Sequence, residues 1–189
     1  MSDAVVIPLI YLQTVERIGP HVTLVPFQLL AANWYVRQLR ERDPHLIVPF
    51  DRYDGDRNNL KALIESHPTR TFYMMGAVGN VDHSLDTEYW ACQAGMLNII
   101  KPKTQRLTVQ QMADANEQVW KRYRPPEFNA IRRATLEHDI LDAYAWPFFR
   151  FGREYERAGE KAEAGRWYER ALAMDPDLVV AREGLARVR

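Results

Sequence analysis

Between Phe148 and Pro176 the chain places large apolar, small and proline residues in a fixed order: Phe148, Phe151, Gly152, Tyr155, Ala164, Tyr168, Ala171 and Pro176. No other stretch constrains the fold as tightly. The apolar positions recur at helical spacing, and Gly159 divides them into two runs. Two helices that share an apolar seam can approach only where the side chains at the crossing are small. Gly152 and Ala164 are expected there, with Tyr155 and Tyr168 filling the surrounding space and Ala171 admitting a further helix. Gly159 suits the turn, and Pro176 ends the second helix. From Val179 to Val188 the pattern restarts as a capping helix, with Leu185 and Ala186 at large and small positions.

This pattern resembles the tetratricopeptide repeat, a helical hairpin with a period of about 34 residues. One full repeat spans about residues 145 to 178. Looking back by one period, only Ala130 and Ala134 fall near packing positions, so residues 108 to 144 are at best a degenerate repeat. A single repeat cannot bury its own face, so the preceding helices are expected to act as neighbours. In such repeats the inner face of the first helix commonly lines a groove for a peptide. The resemblance puts Trp146, Phe149, Arg153, Glu156 and Arg157 on that face, with Arg153 and Arg157 placed for an acidic peptide. The plainer reading makes them solvated charges beside packed aromatics, and it is preferred because a groove needs several repeats. The open end of the stack offers a surface for a homodimer sensitive to charge at Leu185.

Composition narrows the function classes. The 189 residues carry 25 Lys plus Arg against 25 Asp plus Glu. That balance gives no electrostatic reason to expect nucleic acid or an anionic membrane. One cysteine, Cys92, rules out an intramolecular disulfide. No apolar run reaches the ~18 residues of a membrane span. The apolar tract Val5 to Leu12 lacks a basic leader and a cleavage pattern, and is expected to form an amphipathic helix that packs on a core.

The first hundred residues read as α-β-α-β-α-β. Helices are expected around residues 7–15, 28–42 and 60–66, the second with Leu29, Leu30, Trp34 and Leu39 inward. Strands are expected at 21–27, 45–50 and 71–75, where β-branched and apolar residues cluster. Asp56 or Asn58 is placed to cap the third helix. Helices between strands favour a small, mainly parallel sheet with flanking helices. Two further strands, 88–93 and 96–101, form a hairpin about Ala94-Gly95. Thr108 and Gln111 fit a capping box for a helix to about Tyr123, and another helix is expected over 128–144. The expected fold is therefore α/β over residues 1–103, followed by an all-α region over 104–189.

The text of residues 3 to 103 is similar to a bacterial membrane-protein family, domain of unknown function 2723. Its members are thought to be glycosyltransferases related to protein O-mannosyltransferases. The resemblance rests on Pro8-Leu9-Ile10-Tyr11-Leu12-Gln13, Pro20-His21-Val22, Leu29-Leu30, Trp34-Tyr35-Val36-Arg37-Gln38-Leu39, Arg70-Thr71-Phe72-Tyr73 and Gly95 to Pro102. It implies a region outside the cytoplasmic membrane, followed by tetratricopeptide repeats. The membrane part that would hold the sugar-transfer residues is absent, so no catalytic residue is carried over. A free-standing adaptor, the alternative, would be cytoplasmic. A small α/β enzyme or ligand-binding protein is the third reading.

The candidates for chemistry are sparse. Gly76-Ala77-Val78-Gly79 after a strand suggests phosphate contact, but there is no dinucleotide fingerprint or Walker lysine. Asp51, Asp54 and Asp56 lack the spacing of a calcium loop. Asp82, His83, Asp86 and Glu88 offer metal ligands or acid-base groups without a helical His pair. His21 and His45 precede strands, which could bring them together at one edge of the sheet, though ordinary surface or hydrogen-bonded histidines are the simpler reading. Cys92 reads as an inert buried thiol, and Ser84 has no nucleophile elbow. Trp34, Tyr35 and Trp90 read as core packing, with a sugar platform as the alternative. No catalytic residue, metal or cofactor is expected, and the expected partner is a protein or peptide.

Overall fold

The structure is a computed structural model that describes residues 3–75, 82–132, 134–135 and 137–189. Among these, seven α-helices account for most of the regular structure: α1 Asp3–Thr14, α2 Asn33–Arg42, α3 Leu60–Glu65, α4 Val109–Trp120, α5 His138–Arg157, α6 Lys161–Met174 and α7 Val179–Val188. Three short strands, β1 Tyr73–Met74, β2 Tyr89–Ala94 and β3 Leu97–Pro102, form one antiparallel sheet in the order β1-β3-β2. The expected mainly parallel α/β sheet is therefore wrong. The chain divides into two compact units, Met1–Trp90 and Ala91–Arg189.

The reason for the missing parallel strands lies in the first unit. Runs 21–27 and 45–50 contain no strand; the first gives way to a 3-10 turn, Phe27–Ala31. Their apolar residues are nonetheless buried. Leu30, Tyr35, Val36, Leu39, Leu46, Val48, Phe50 and Leu63 make one cluster, with Val25 and Phe27 packed against it. Pro26 and Pro49 each remove a donor that a ladder would need. Side chains serve several of the backbone groups instead. Arg40 donates to the carbonyls of Val48 (2.9 Å) and Phe50 (2.8 Å). Arg42 donates to Leu24 O at 2.7 Å, and His67 Nε2 accepts from Ile47 N at 2.8 Å. Burial thus proceeds on extended backbone without a sheet, because buried polar groups need a partner and not a particular one.

Three local expectations also fail here. Asn59, not Asp56 or Asn58, caps α3, accepting from Ala62 N at 3.0 Å. Trp34 points outward, with Tyr35, Val36 and Leu39 forming the inner face of α2. Among the residues of α1 whose side chains are described, Val6 is buried while Ile7, Ile10, Tyr11 and Leu12 are exposed, so no apolar stripe is turned inward there. The helix is apolar on all sides, so it has no polar face to turn outward.

In the second unit, Gly95 (φ 62°) turns the β2–β3 hairpin. Asn116 of α4 locks it, accepting from Gly95 N at 2.6 Å and donating to Gln93 O at 2.6 Å. Thr108 and Gln111 make the reciprocal capping box that starts α4. The expected helix 128–144 is absent; Phe128–Ala130 is a single 3-10 turn. Helix α5 begins at His138 and continues through Pro147 to Arg157. An interior proline costs a helix about 3 kcal/mol, which burial of Leu141, Tyr144, Phe148, Phe151 and Tyr155 offsets at about 1.5–3 kcal/mol per large side chain.

Helices α5, α6 and α7 pack around Tyr168. A Cβ on Gly152 of α5 would lie 2.5 Å from the Tyr168 ring, and one on Gly184 of α7 would also lie 2.5 Å from it. The ring is held between two helices that approach because both lack a side chain there. Ala164, Ala171 and Ala181 are fully buried, and Gly159 takes φ 81° in the α5–α6 turn. Gly184 therefore fills the small position where Ala186 was expected, and Ala186 is exposed. Leu185 is buried within the chain. It is not an open association surface, so the expected dimer contact through it is not available. Trp167 stacks on Phe148 at 5.8 Å, and Trp120 of α4 lies 4.7 Å from Phe148 on centroids. Helix α4 thus serves as a packing neighbour of the hairpin.

Candidate docking face of helix α5

Helix spacing sets what α5 presents. Residues 146, 150, 153 and 157 follow one another at four, three and four residues, which aligns them on one side. Trp146 is partly exposed and donates from Nε1 to Asp142 Oδ1 at 3.1 Å. It meets the buried Phe149 edge-on, with centroids 5.2 Å apart. The Arg153 guanidinium lies 5.9 Å from the Phe149 ring and has no carboxylate within ion-pair distance among the described residues.

The other expected members of the face are engaged within the chain. Glu156 accepts from Arg187 Nε at 2.9 Å and Nη2 at 3.2 Å, and from the Tyr168 hydroxyl. The Arg187 bonds, followed by that of Tyr168, hold its carboxyl at about 2. Arg157 pairs with Glu154 at 2.6 Å. The eight positions of the hairpin pattern are placed as follows: Phe148, Phe151, Gly152, Tyr155, Ala164, Tyr168 and Ala171 are buried, while Pro176 is exposed just beyond α6.

Arg150 belongs to this stripe and was missed. It is half-buried, and its Nη1 donates to Gln93 Oε1 at 3.3 Å. Gln93 is fixed in that orientation because its Nε2 donates to Gly95 O (2.6 Å) and Leu97 O (3.1 Å). No carboxylate pairs with Arg150 among the described residues, and burial pushes its pKa below the usual guanidinium value. The spacing from Trp146 to Arg153 contained the signal. The face therefore offers an indole and two guanidinium groups that, among the described residues, are not paired with a carboxylate.

The residues weighed for acid-base or metal chemistry do not assemble. Asp82 is buried and turned inward, accepting from Leu60 N (2.8 Å), Ser84 N (2.8 Å) and the Tyr53 hydroxyl (3.1 Å). Burial raises its pKa, but these hydrogen bonds outweigh it and the net shift is downward. His83 pairs with Asp86 at 2.9 Å in solvent, while Glu88 pairs with Lys61. Asp51 pairs with Arg40 at 2.9 Å, and Asp54 folds its own loop through Asp56 N and Asn58 N. His21 and His45 are exposed. Ser84 Oγ accepts from Lys61 N at 3.2 Å. Cys92 is buried, and burial pushes its thiol up. The stretch Gly76–Gly79 lies outside the described residues.

One histidine–carboxylate group is found among the described residues: His138, Asp142 and Asp175, with ligand atoms within 4.8 Å of one another. Asp142 already accepts from Trp146, and Asp175 Oδ1 accepts from Asp177 N at 3.1 Å. Among the described residues no helix is long and apolar enough to cross a membrane. No family model, curated protein or solved structure matches the chain.

Proposed function

We propose that this chain is a non-catalytic docking module that holds an acidic protein segment against the exposed side of α5. The observation that carries the reading is the stripe Trp146, Arg150 and Arg153, which presents an aromatic anchor and two cations without carboxylate partners. Trp and Arg are the side chains that most often carry interface energy, and guanidinium recognises carboxylate with two parallel bonds. Helices α6 and α7 hold α5 from behind through Tyr168, so the face is pre-organised and loses little entropy on binding. The residues that suggested acid-base chemistry in the sequence are each committed to a cap, an ion pair or a loop, which supports a binding role.

The sequence resemblance to membrane glycosyltransferase-like proteins supports one setting for such a module: a region that brings an acceptor or partner to a membrane-embedded transferase. A free-standing adaptor is the alternative setting. The test of docking is a titration with an Asp/Glu-rich peptide carrying apolar anchors. Arg153→Glu and Trp146→Ala should each weaken binding about tenfold or more with the thermal melt unchanged. Equal binding by both variants refutes the docking face. Coding sequence for many membrane helices upstream of Met1 would favour the transferase setting, and a complete short gene the adaptor.

A further inference from the structure

The first unit contains an open groove of about 560 Å³ between α1, the segment leading into the 3-10 turn, and α2. Its apolar wall includes Ile10, Pro26, Leu29 and Trp34, and its polar groups include Tyr35 and Arg42 of α2. Tyr35 and Arg42 are seven residues apart and so lie on one side of that helix. The volume is that of small-molecule sites, which combine apolar walls with a few placed polar groups.

Three independent observations bear on what fits there. The Trp34 indole is 57% exposed and stands edge-on to Tyr35, with ring centroids 5.9 Å apart. The Tyr35 side chain is only 5% exposed, and its buried hydroxyl makes no well-formed hydrogen bond among the described residues, although the Arg42 guanidinium lies close enough to act on it. Arg42 donates to Leu24 O at 2.7 Å and has no carboxylate partner among the described residues. A buried hydroxyl donor beside an uncompensated guanidinium matches an anionic head, while the apolar wall matches a hydrocarbon body. A neutral sugar would leave Arg42 unmatched, and a peptide would bring backbone amides to a wall that offers them few partners.

We propose that this groove binds a fatty carboxylate, its head on Arg42 and the Tyr35 hydroxyl and its chain along Trp34, Leu29 and Ile10. The test titrates the full chain with dodecanoate below its micelle concentration, followed by calorimetry and by the indole N–H resonances. Saturable binding is expected to shift the Trp34 resonance. Arg42→Gln should weaken binding about tenfold or more, and Tyr35→Phe about threefold or more. Trp34→Ala should weaken it about tenfold. Trp34 and Arg42 are exposed; circular dichroism checks that both variants keep the fold, and glutamine at position 42 retains a donor for Leu24 O. Dodecanol, which lacks the charge, should bind at least tenfold more weakly than dodecanoate. Equal binding of dodecanol and dodecanoate, unchanged affinity in Arg42→Gln, shifts confined to other indoles, or no saturable binding would each overturn the assignment.

Discussion

Replacing Gly152 by alanine tests the packing that holds the docking face in place. An added Cβ would sit 2.5 Å from the Tyr168 ring, where ordinary contact begins near 3.4 Å. The ring would have to retreat by about 0.9 Å. It has nowhere to go, because Tyr168 is fully buried and Gly184 closes its other side. Overpacking of this kind costs about 1–3 kcal/mol, and the upper end applies where both sides are closed. Alanine in a helix returns about 1 kcal/mol relative to glycine, leaving a net loss of about 2 kcal/mol. Gly165 in α6 is the internal control. Its added Cβ would meet Val188 at 3.7 Å and Leu185 at 3.8 Å, which is ordinary contact. Gly165→Ala should therefore gain up to about 1 kcal/mol. Urea denaturation followed by far-ultraviolet circular dichroism separates the two. A Gly152→Ala protein as stable as the parent, or a Gly165→Ala protein equally destabilised, would refute the nesting of three helices around one ring.

Asn116→Ala should cost about 3 kcal/mol or more, because it strands a buried Gly95 amide and removes two further bonds at about 1–3 kcal/mol for each group left unsatisfied; urea midpoints read this. Arg40→Met should cost about 2 kcal/mol by releasing the carbonyls of Val48 and Phe50, with a matching loss of amide-exchange protection around residues 46–50. Stability should fall with acid. The carboxyls of Asp43 and Glu156 are each held at about 2, against ordinary values of 3.8 and 4.5. Asp43 is held first by its Arg70 bond and then by Thr23. Lowered folded-state values stabilise fully above the unfolded pKa and lose that contribution as pH falls from about 4.5 toward 2. Glu156→Gln should flatten that slope in melts taken across the window, and an unaltered slope would contradict the Arg187 pairing.

The readable parts of the fold were those written in neighbouring residues. The β2–β3 hairpin, the Thr108 capping box and the Gly159 turn each depend on a few consecutive side chains. The parallel sheet was misread because β-branched runs announce burial, not ladder pairing. Arg40, Arg42 and His67, each far along the chain from at least one group it serves, decide how those runs are satisfied. The expected boundary between a helix ending at 144 and a repeat beginning near 145 is absent, because α5 runs unbroken from His138 through Pro147 with aromatic burial on both sides. Of the residues that the repeat register puts on the proposed face, Trp146 is partly exposed and Arg153 has no carboxylate partner among the described residues. The pairing of Glu156 with Arg187 cannot be read from spacing within α5, because Arg187 comes from another helix. Arg150 was overlooked although the same spacing contained it. Helical spacing from Leu30 to Leu39 puts Trp34 inward, yet the inner face of α2 is Tyr35, Val36 and Leu39, one position later.

A nuclear magnetic resonance titration of the isotope-labelled chain with an Asp/Glu-rich peptide probes the docking proposal most directly. Shifts should concentrate on the Trp146 indole and on the side-chain N–H groups of Arg150 and Arg153, saturate, and disappear in Arg153→Glu. Shifts scattered over both units, or a full response from Arg153→Glu, would contradict it.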